Sequence, residues 1–423
     1  MLGWRRACLW VALLCCCSLA FAQQESRSPV SLFYDNAQLR ITSEPRGLDL
    51  KMTNYVYLDA SATLPALGAN QIKGTTSAGE QRTLFPQQGV TLSACFISLK
   101  GQLTPRWSTS LEVEIHPKDV DFRTSYIGYA FSPLCSVKVG HLKVPGTMER
   151  NISTSQTYSI SRAMPTALLS GRRVGAALLG QWKGFTTEVG VYGDELTKAM
   201  RQEGLSAEYL LGAKVAKGME LTQGNVSMLG VSFQYLRPHA APTLWAVEAT
   251  RELPHDEVPY LTVGYPNAAG VSTIAAEGAW QLGRLLLHAE WIGSSVSLAE
   301  EQPKPARWLQ GYTAKISYMI QGSPRTYKGE TNDYRLDKNS KGKRWEASLR
   351  FSCLNLQNGT PLRTKAMSCT AETIYTPSHH MALCGAISYF RGNPLANAGG
   401  TLTTPNGKGP QLLSLYGRLY YFF

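Results

Sequence analysis

Beyond residue 22 the chain has no stretch approaching the roughly twenty consecutive apolar residues that a membrane-spanning helix needs, and its mean hydropathy is -0.17. Helical periodicity is nearly absent as well. A helical membrane protein is therefore excluded. No Pro- or Gly-rich linker and no shift of composition divides the chain, so one large unit fits better than two domains. His-Glu-x-x-His, Gly-x-Ser-x-Gly and a phosphate-cradling glycine loop are all missing. Nothing nominates a catalytic set, and neither enzymatic activity nor a cofactor is expected. Of nine cysteines, Cys8, Cys15, Cys16 and Cys17 fall in the first 22 residues. The remaining Cys95, Cys135, Cys353, Cys369 and Cys384 are odd in number and lack Cys-x-x-Cys spacing, which argues against a metal site or a full disulfide framework. The His379-His380 pair reads as a polar turn.

What is present is alternation. In the closing run Leu412 to Phe423, Leu413, Leu415, Leu419, Tyr421 and Phe423 fall on one face of an extended strand, with Ser414, Tyr416, Arg418, Tyr420 and Phe422 on the other. One face suits lipid and the other water, the division a transmembrane β-barrel requires of every strand. Because half of each strand faces the lumen, overall hydropathy stays ordinary. Runs of the same kind recur between turn residues from Gly47 onward. Seventeen can be counted, but single-chain barrels have an even number. About sixteen strands are expected, the run Leu244 to Thr250 being the odd one.

Parity assigns faces. Trp345, Ala347, Leu349, Phe351 and Cys353 point to lipid, leaving Arg344, Glu346, Ser348, Arg350 and Ser352 in the lumen; Lys315 likewise points inward between Thr313 and Ser317. Arg173, Lys214, His288, Glu290 and Arg418 follow the same rule. A charge on the lipid face at mid-depth costs about 2–4 kcal/mol, so charge and parity check each other. Lys183-Gly184 and Leu282-Gly283-Arg284 read as tight periplasmic hairpins. Pro145 to Gly171, Arg251 to Val271, Ser323 to Lys343 and Arg391 to Pro410 are long, and belong on the outer side or folded into the pore. The first of these carries Met148, Glu149, Arg150, Arg162 and Pro165, runs directly into Arg172-Arg173, and is a candidate constriction loop.

The N-terminus agrees with this address. Arg5 and Arg6 precede the apolar stretch Leu9 to Leu19, and Ala20-Phe21-Ala22 suits a signal peptidase, so residues 1–22 are expected to be removed on export. Residues 23–46 then form an N-terminal periplasmic segment and 47–423 the barrel in the outer membrane of a Gram-negative bacterium. The formal charge of +12 becomes +10 once Arg5 and Arg6 are lost, which favours anionic partners, whether small solutes or lipid; nucleic acid is not expected in that compartment.

Three stretches resemble the phosphate-selective porin O and P family. They are Val139-Gly140-His141-Leu142-Lys143-Val144-Pro145-Gly146, Ser161-Arg162-Ala163-Met164-Pro165 followed by Arg172-Arg173-Val174-Gly175, and Tyr318 to Ser352 with Gln321-Gly322-Ser323-Pro324-Arg325-Thr326-Tyr327 inside it. The resemblance implies a sixteen-stranded pore assembled as a homotrimer, with anion specificity from an arginine ladder and a lysine cluster. Two departures bear on the solute. Where the family can carry paired arginines entering the second strand, this chain reads Phe85-Pro86-Gln87-Gln88, and Ser153 to Thr157, upstream of Arg162, contains no lysine. Phosphate specificity is not carried over.

The expectation is therefore an all-β, transmembrane antiparallel barrel with long extracellular loops and an infolded constriction loop, passing small hydrophilic solutes by diffusion and favouring anions. The alternative is a surface-exposed binding or adhesion protein that uses the barrel as an anchor. Arg162, Arg172 and Arg173 either attract anions at the constriction or pair with Glu149 and neighbouring acids to hold the loop down. Lys315, Arg344, Arg350 and Arg418 read as solvated lumen charges that bias ion selectivity through their field.

Overall fold

The computed structural model describes residues 30–423 other than 36, 65–71, 76–80, 85–87, 117–119, 154–158, 197–207, 223, 239–243, 254–259, 300–306, 337–341, 358–362, 394–400 and 404–407. Residues 1–22, expected to be removed on export, Phe85-Pro86-Gln87 and residues 154–157 of the loop lie outside the described residues. Among the described residues no helix is long and apolar enough to cross a membrane; strands do the crossing.

A nineteen-stranded sheet contains the barrel wall. Three of its members are short accessories, Ser31–Asp35, Gln38–Ser43 and Val120–Phe122. The other sixteen pair antiparallel in chain order. They are β1 (Leu48–Thr63), β2 (Gly89–Gln102), β3 (Trp107–Ile115), β4 (Ser125–Ser132), β5 (Cys135–Lys143), β6 (Arg172–Trp182), β7 (Phe185–Tyr192) and β8 (Tyr209–Thr222). They continue with β9 (Asn225–Arg237), β10 (Ala268–Leu282), β11 (Leu285–Leu298), β12 (Arg307–Gln321), β13 (Arg344–Gln357), β14 (Arg363–Ser378), β15 (Met381–Gly392) and β16 (Gln411–Phe422). The wall closes where β16 meets β1, in a register running from Ser414 opposite Thr63 to Phe422 opposite Tyr55. Closure removes both sheet edges and satisfies every wall strand's backbone from its neighbours, as lipid demands. Below Phe423, the accessory strand Gln38–Ser43 takes over the same edge of β1, pairing Leu39 with Met52.

Every face assigned from parity holds. Tyr312, Ile316, Tyr318, Trp345, Leu349, Phe351, Leu415 and Tyr421 are exposed on the outer wall, while Lys315, Arg350, Arg173, Lys214, His288, Glu290 and Arg418 are buried inside. Outward aromatics gather at the end of the barrel that carries the tight turns: Trp107, Phe131, Trp182, Trp280, Tyr318, Trp345, Tyr421 and Phe423. Such a girdle marks a membrane–water interface, where an amphipathic ring is best placed. Tight turns fall as predicted, with Lys183 and Gly184 at positive φ between β6 and β7, and Gly283 between β10 and β11. Cys95, Cys135, Cys353, Cys369 and Cys384 are free, and all lie within wall strands.

The structure decides two points that the sequence left open. The run at Leu244, the odd one of the seventeen, is indeed not a wall strand: Leu244–Ala249 pairs with Leu261–Pro266 in a separate hairpin between β9 and β10. Its inward residues Val247, Ala249, Leu261, Val263 and Tyr265 are buried in the cluster that fills the loop end of the lumen. Of the two places expected for the long segments, Ser323 to Lys343 takes the second, the pore, which it enters from the end of the tight turns because it links the bottom of β12 to the bottom of β13. Its hairpin, Thr326–Lys328 with Asp333–Arg335, folds into the barrel: Tyr334 Oη donates to the carbonyl of Val226 on β9 at 2.6 Å, and Thr186 of β7 donates to the carbonyl of Gly329 at 2.7 Å.

Candidate functional site

The segment between β5 and β6 turns into the barrel and is held there by the wall. Thr147 caps a single helical turn, α1 (Met148–Asn151), its hydroxyl accepting from Arg150 N at 3.4 Å. A 3-10 turn follows at Met164–Leu168, opened by Pro165. Main-chain groups of this loop meet wall side chains almost residue by residue. Gln234 donates to the carbonyl of Pro145 at 2.7 Å and Lys214 to that of Gly146 at 2.8 Å. Met148 N donates to Glu277, Glu149 N to Glu290 at 2.8 Å, and Ile160 N to Glu372 at 3.1 Å. A loop buried this far from bulk water needs these partners, since an orphaned main-chain group costs about 1–3 kcal/mol. Gly311 makes room on β12: a Cβ there would lie 2.6 Å from Pro165 Cβ.

Arg350 is the centre of the arrangement. Its guanidinium reaches Glu149 of the loop at 3.2 Å and Glu252 of the segment between β9 and β10 at 3.0 Å, and it also donates to the carbonyl of Ser161. Glu252, a non-glycine residue at φ 65, in turn accepts from Met164 N at 2.6 Å and from Ser352. One arginine thus fastens two infolded segments to β13. Nearby, Lys315 pairs with Glu372 at 3.3 Å and donates to Ser159 of the loop. At the seam, Arg418 takes both oxygens of Asp59, at 2.6 and 2.7 Å, donates to the carbonyl of Ile160 at 3.3 Å, and lies 4.7 Å over the ring of Tyr57.

These contacts divide the seven cations picked out from sequence. Lys315, Arg350 and Arg418 are not solvated lumen charges: at 2 %, 1 % and 6 % exposed they are buried and neutralised by carboxylates. Arg173 is buried beside Asp194 at 3.3 Å. Arg344 is buried at the tight-turn end, against Gly322. Arg172 begins β6 half-buried, with Glu112 only at 3.9 Å. Arg162 donates at 3.2 Å to the carbonyl of Ile152 and has no carboxylate partner among the described residues.

Beside Arg162, two cations not nominated from sequence are held in the same way. Lys143 donates to the carbonyl of Asn151 at 2.6 Å, and Arg150 to that of Ser170 at 3.4 Å. Arg162, Arg172, Arg150, Lys143 and Arg123 lie close enough to repel one another. Burial, then Arg150 and Arg172 as like-charged neighbours, push the Arg162 guanidinium down to about 9. Burial and Arg172 push Arg150 to about 10. Cations held under such repulsion gain from an arriving anion, which restores the charge balance that water supplied elsewhere. Glu277, His288 and Glu290 bring three ligand-type atoms within 4.8 Å, but Lys214 stands 2.6 Å from Glu277, and Glu290 takes His288 and the loop.

The family model described as phosphate-selective porin O and P matches residues 88–384. No curated protein matched the sequence. Among solved structures the chain is similar to an anion-selective porin from Comamonas acidovorans, at 14% identity and a TM-score of 0.52, covering 88% of this chain and 99% of that one. It is also similar to OmpT of Vibrio cholerae in its trimer form, at 10% identity and 0.51, with coverage of 88% and 99%. OprB of Pseudomonas putida gives 8% and 0.51, with coverage of 88% and 94%.

Proposed function

Because the chain belongs to the phosphate-selective porin O and P family and is a passive channel of the outer membrane, we propose that it favours small anions over cations and does so through the cations on and beside its infolded loop rather than the carboxylate-paired cations of the wall. One observation carries this reading. Lys315, Arg350 and Arg418 are cancelled by carboxylates, whereas Lys143, Arg150 and Arg162, at the infolded loop, meet only main-chain carbonyls. A guanidinium with unfilled donors offers a planar fork to a carboxylate, phosphate or hydrated halide. Arg172 adds to the same field from the top of β6. The solute is read as a small anion in general, since the departures at 85–88 and 153–157 leave phosphate specificity without support. The solved neighbour described as anion-selective is consistent with this reading.

The reversal potential under a KCl gradient across a planar bilayer tests it. Chloride passing more readily than potassium is expected; potassium passing more readily would overturn the proposal. Three infolded segments, one from the tight-turn end, favour a second reading in which the barrel is an anchor for surface contacts. A purified protein that inserts yet carries no current would decide for that reading.

Assembly as a homotrimer is part of the proposal. β4 and β7 have 8 residues and β3 and β5 have 9, against 15 in β12 and 16 in β14. At about 3.3 Å per residue and a tilt near 45°, the short strands rise about 19–21 Å, below the roughly 25 Å apolar band that lipid requires. A wall this low is better covered by a neighbouring protomer than by acyl chains. OmpT of Vibrio cholerae, of the same fold, forms a trimer. Native mass measurement in detergent should give three chains per particle.

A further inference from the structure

Between the constriction loop, the tops of β9 and β10 and the hairpin Leu244–Pro266 lies a half-open cavity of about 370 Å³, at the long-loop end of the barrel. Its lining is chemically two-sided. Leu168, Leu236 and Trp245 form an apolar side, and Arg150 stands at the other, its terminal nitrogen lying close over Gly171. Arg173 also lines it but is paired with Asp194, so Arg150 is the cation in the cavity with donors to give. Glu195 completes the polar rim.

We propose that this cavity is a capture site for a small organic monocarboxylate with an apolar body, such as an aromatic acid, held before it crosses the constriction. The volume sits at the lower end of the range for small-molecule pockets, which suits one ring rather than several. The apolar side buries the body, and a guanidinium without a carboxylate partner takes the headgroup in a charge-assisted bond. Glu195, whose charge already acts on Arg150, repels each negative charge that enters, so one carboxylate on Arg150 is tolerated where a dianion such as phosphate meets the repulsion twice. The site would thus select by shape and charge together, before the constriction selects by charge alone. The inference names a solute class for the channel proposed above and rests on that reading for its place in transport, but not for binding itself.

Benzoate is the probe, with benzamide and inorganic phosphate as comparisons. Benzoate added on the long-loop side should reduce the KCl current saturably, and benzamide, of the same shape without the charge, should not. Arg150→Gln should weaken the benzoate effect about ten- to hundredfold, the range for losing a charge-assisted bond. Ala246→Trp, at an exposed position that lines the cavity, should abolish the effect by filling the space. Equal block by benzamide, or benzoate block that survives both substitutions, would overturn the proposal. Calorimetry in detergent reads the same affinity without a current. A silent barrel that binds benzoate and loses it in Ala246→Trp would sink the channel reading and leave the capture site standing.

Discussion

Replacing Arg350 by methionine keeps much of the side-chain volume and removes the charge, so packing changes little while Glu149 and Glu252 lose their shared partner. Both carboxylates are buried, at 2 % and 3 % exposure, and neither can turn to bulk water without the loop moving. Removing one member of a buried ion pair costs about 3–5 kcal/mol, mostly the cost of stranding the charge left behind. Here two charges are stranded, although Glu149 keeps Ala163 N at 3.3 Å and Glu252 keeps Met164 N and Ser352. Taking the lower figure, about 3 kcal/mol shifts the ratio of docked to released loop by about a hundredfold. Single-channel recording should show this as a larger or flickering conductance, and the unfolding midpoint should fall. The triple variant Arg350→Met, Glu149→Gln, Glu252→Gln removes all three charges and should recover most of the lost stability, because a neutral set buried together carries no stranded charge. Should Arg350→Met match the wild type in conductance, noise and midpoint, or should the triple variant be worse than the single one, the account of how this loop is held is wrong.

Further outcomes are expected. Arg162→Ala should lower the chloride-to-potassium permeability ratio severalfold at 0.1 M salt, since one charge near 4 Å is worth about 1 kcal/mol even in water; the effect should shrink at 1 M, where the screening length is about 3 Å. No change at 0.1 M would exclude Arg162 from selectivity. Gly311→Val should displace Pro165 and cost about 1–3 kcal/mol of overpacking, read as faster protease cleavage within residues 145–171. Arg418→Ala should lower the temperature at which the folded band disappears in a heated gel, since it opens the bidentate pair across the seam, and Asp59→Asn alone should do less.

Sixteen wall strands were legible because a lipid-facing strand must alternate, and the sequence obeys that rule wherever a charge had to be hidden. Leu244–Ala249 shows why the rule over-counts. A hairpin packed against the inside of a barrel is also greasy on one face and wet on the other, and periodicity cannot tell lipid from a protein interior. For Ser323 to Lys343, length left both the outer side and the pore open for a related reason: it marks a segment as long, not which end of the barrel it leaves. In the site, inward cations could be found by parity, but whether each would be free or cancelled depended on Asp59, Glu149, Glu252 and Glu372, which come from four distant parts of the chain. One signal was available. Lys315 and Arg350 are directly opposite on β12 and β13, and two like charges in that position require acid close by.

The seam between β16 and β1 has a consequence for biogenesis. Arg418 and Asp59 are 359 residues apart in the chain, so the bond that locks the cylinder joins almost its two extremities. Until the last strand has been delivered, both margins of the growing sheet stay unzipped and able to pair with any other extended polypeptide. Assembly of this protein is therefore all or nothing at its final step, and a truncation of a dozen residues from the C-terminal end would yield not a smaller channel but an open, aggregation-prone ribbon.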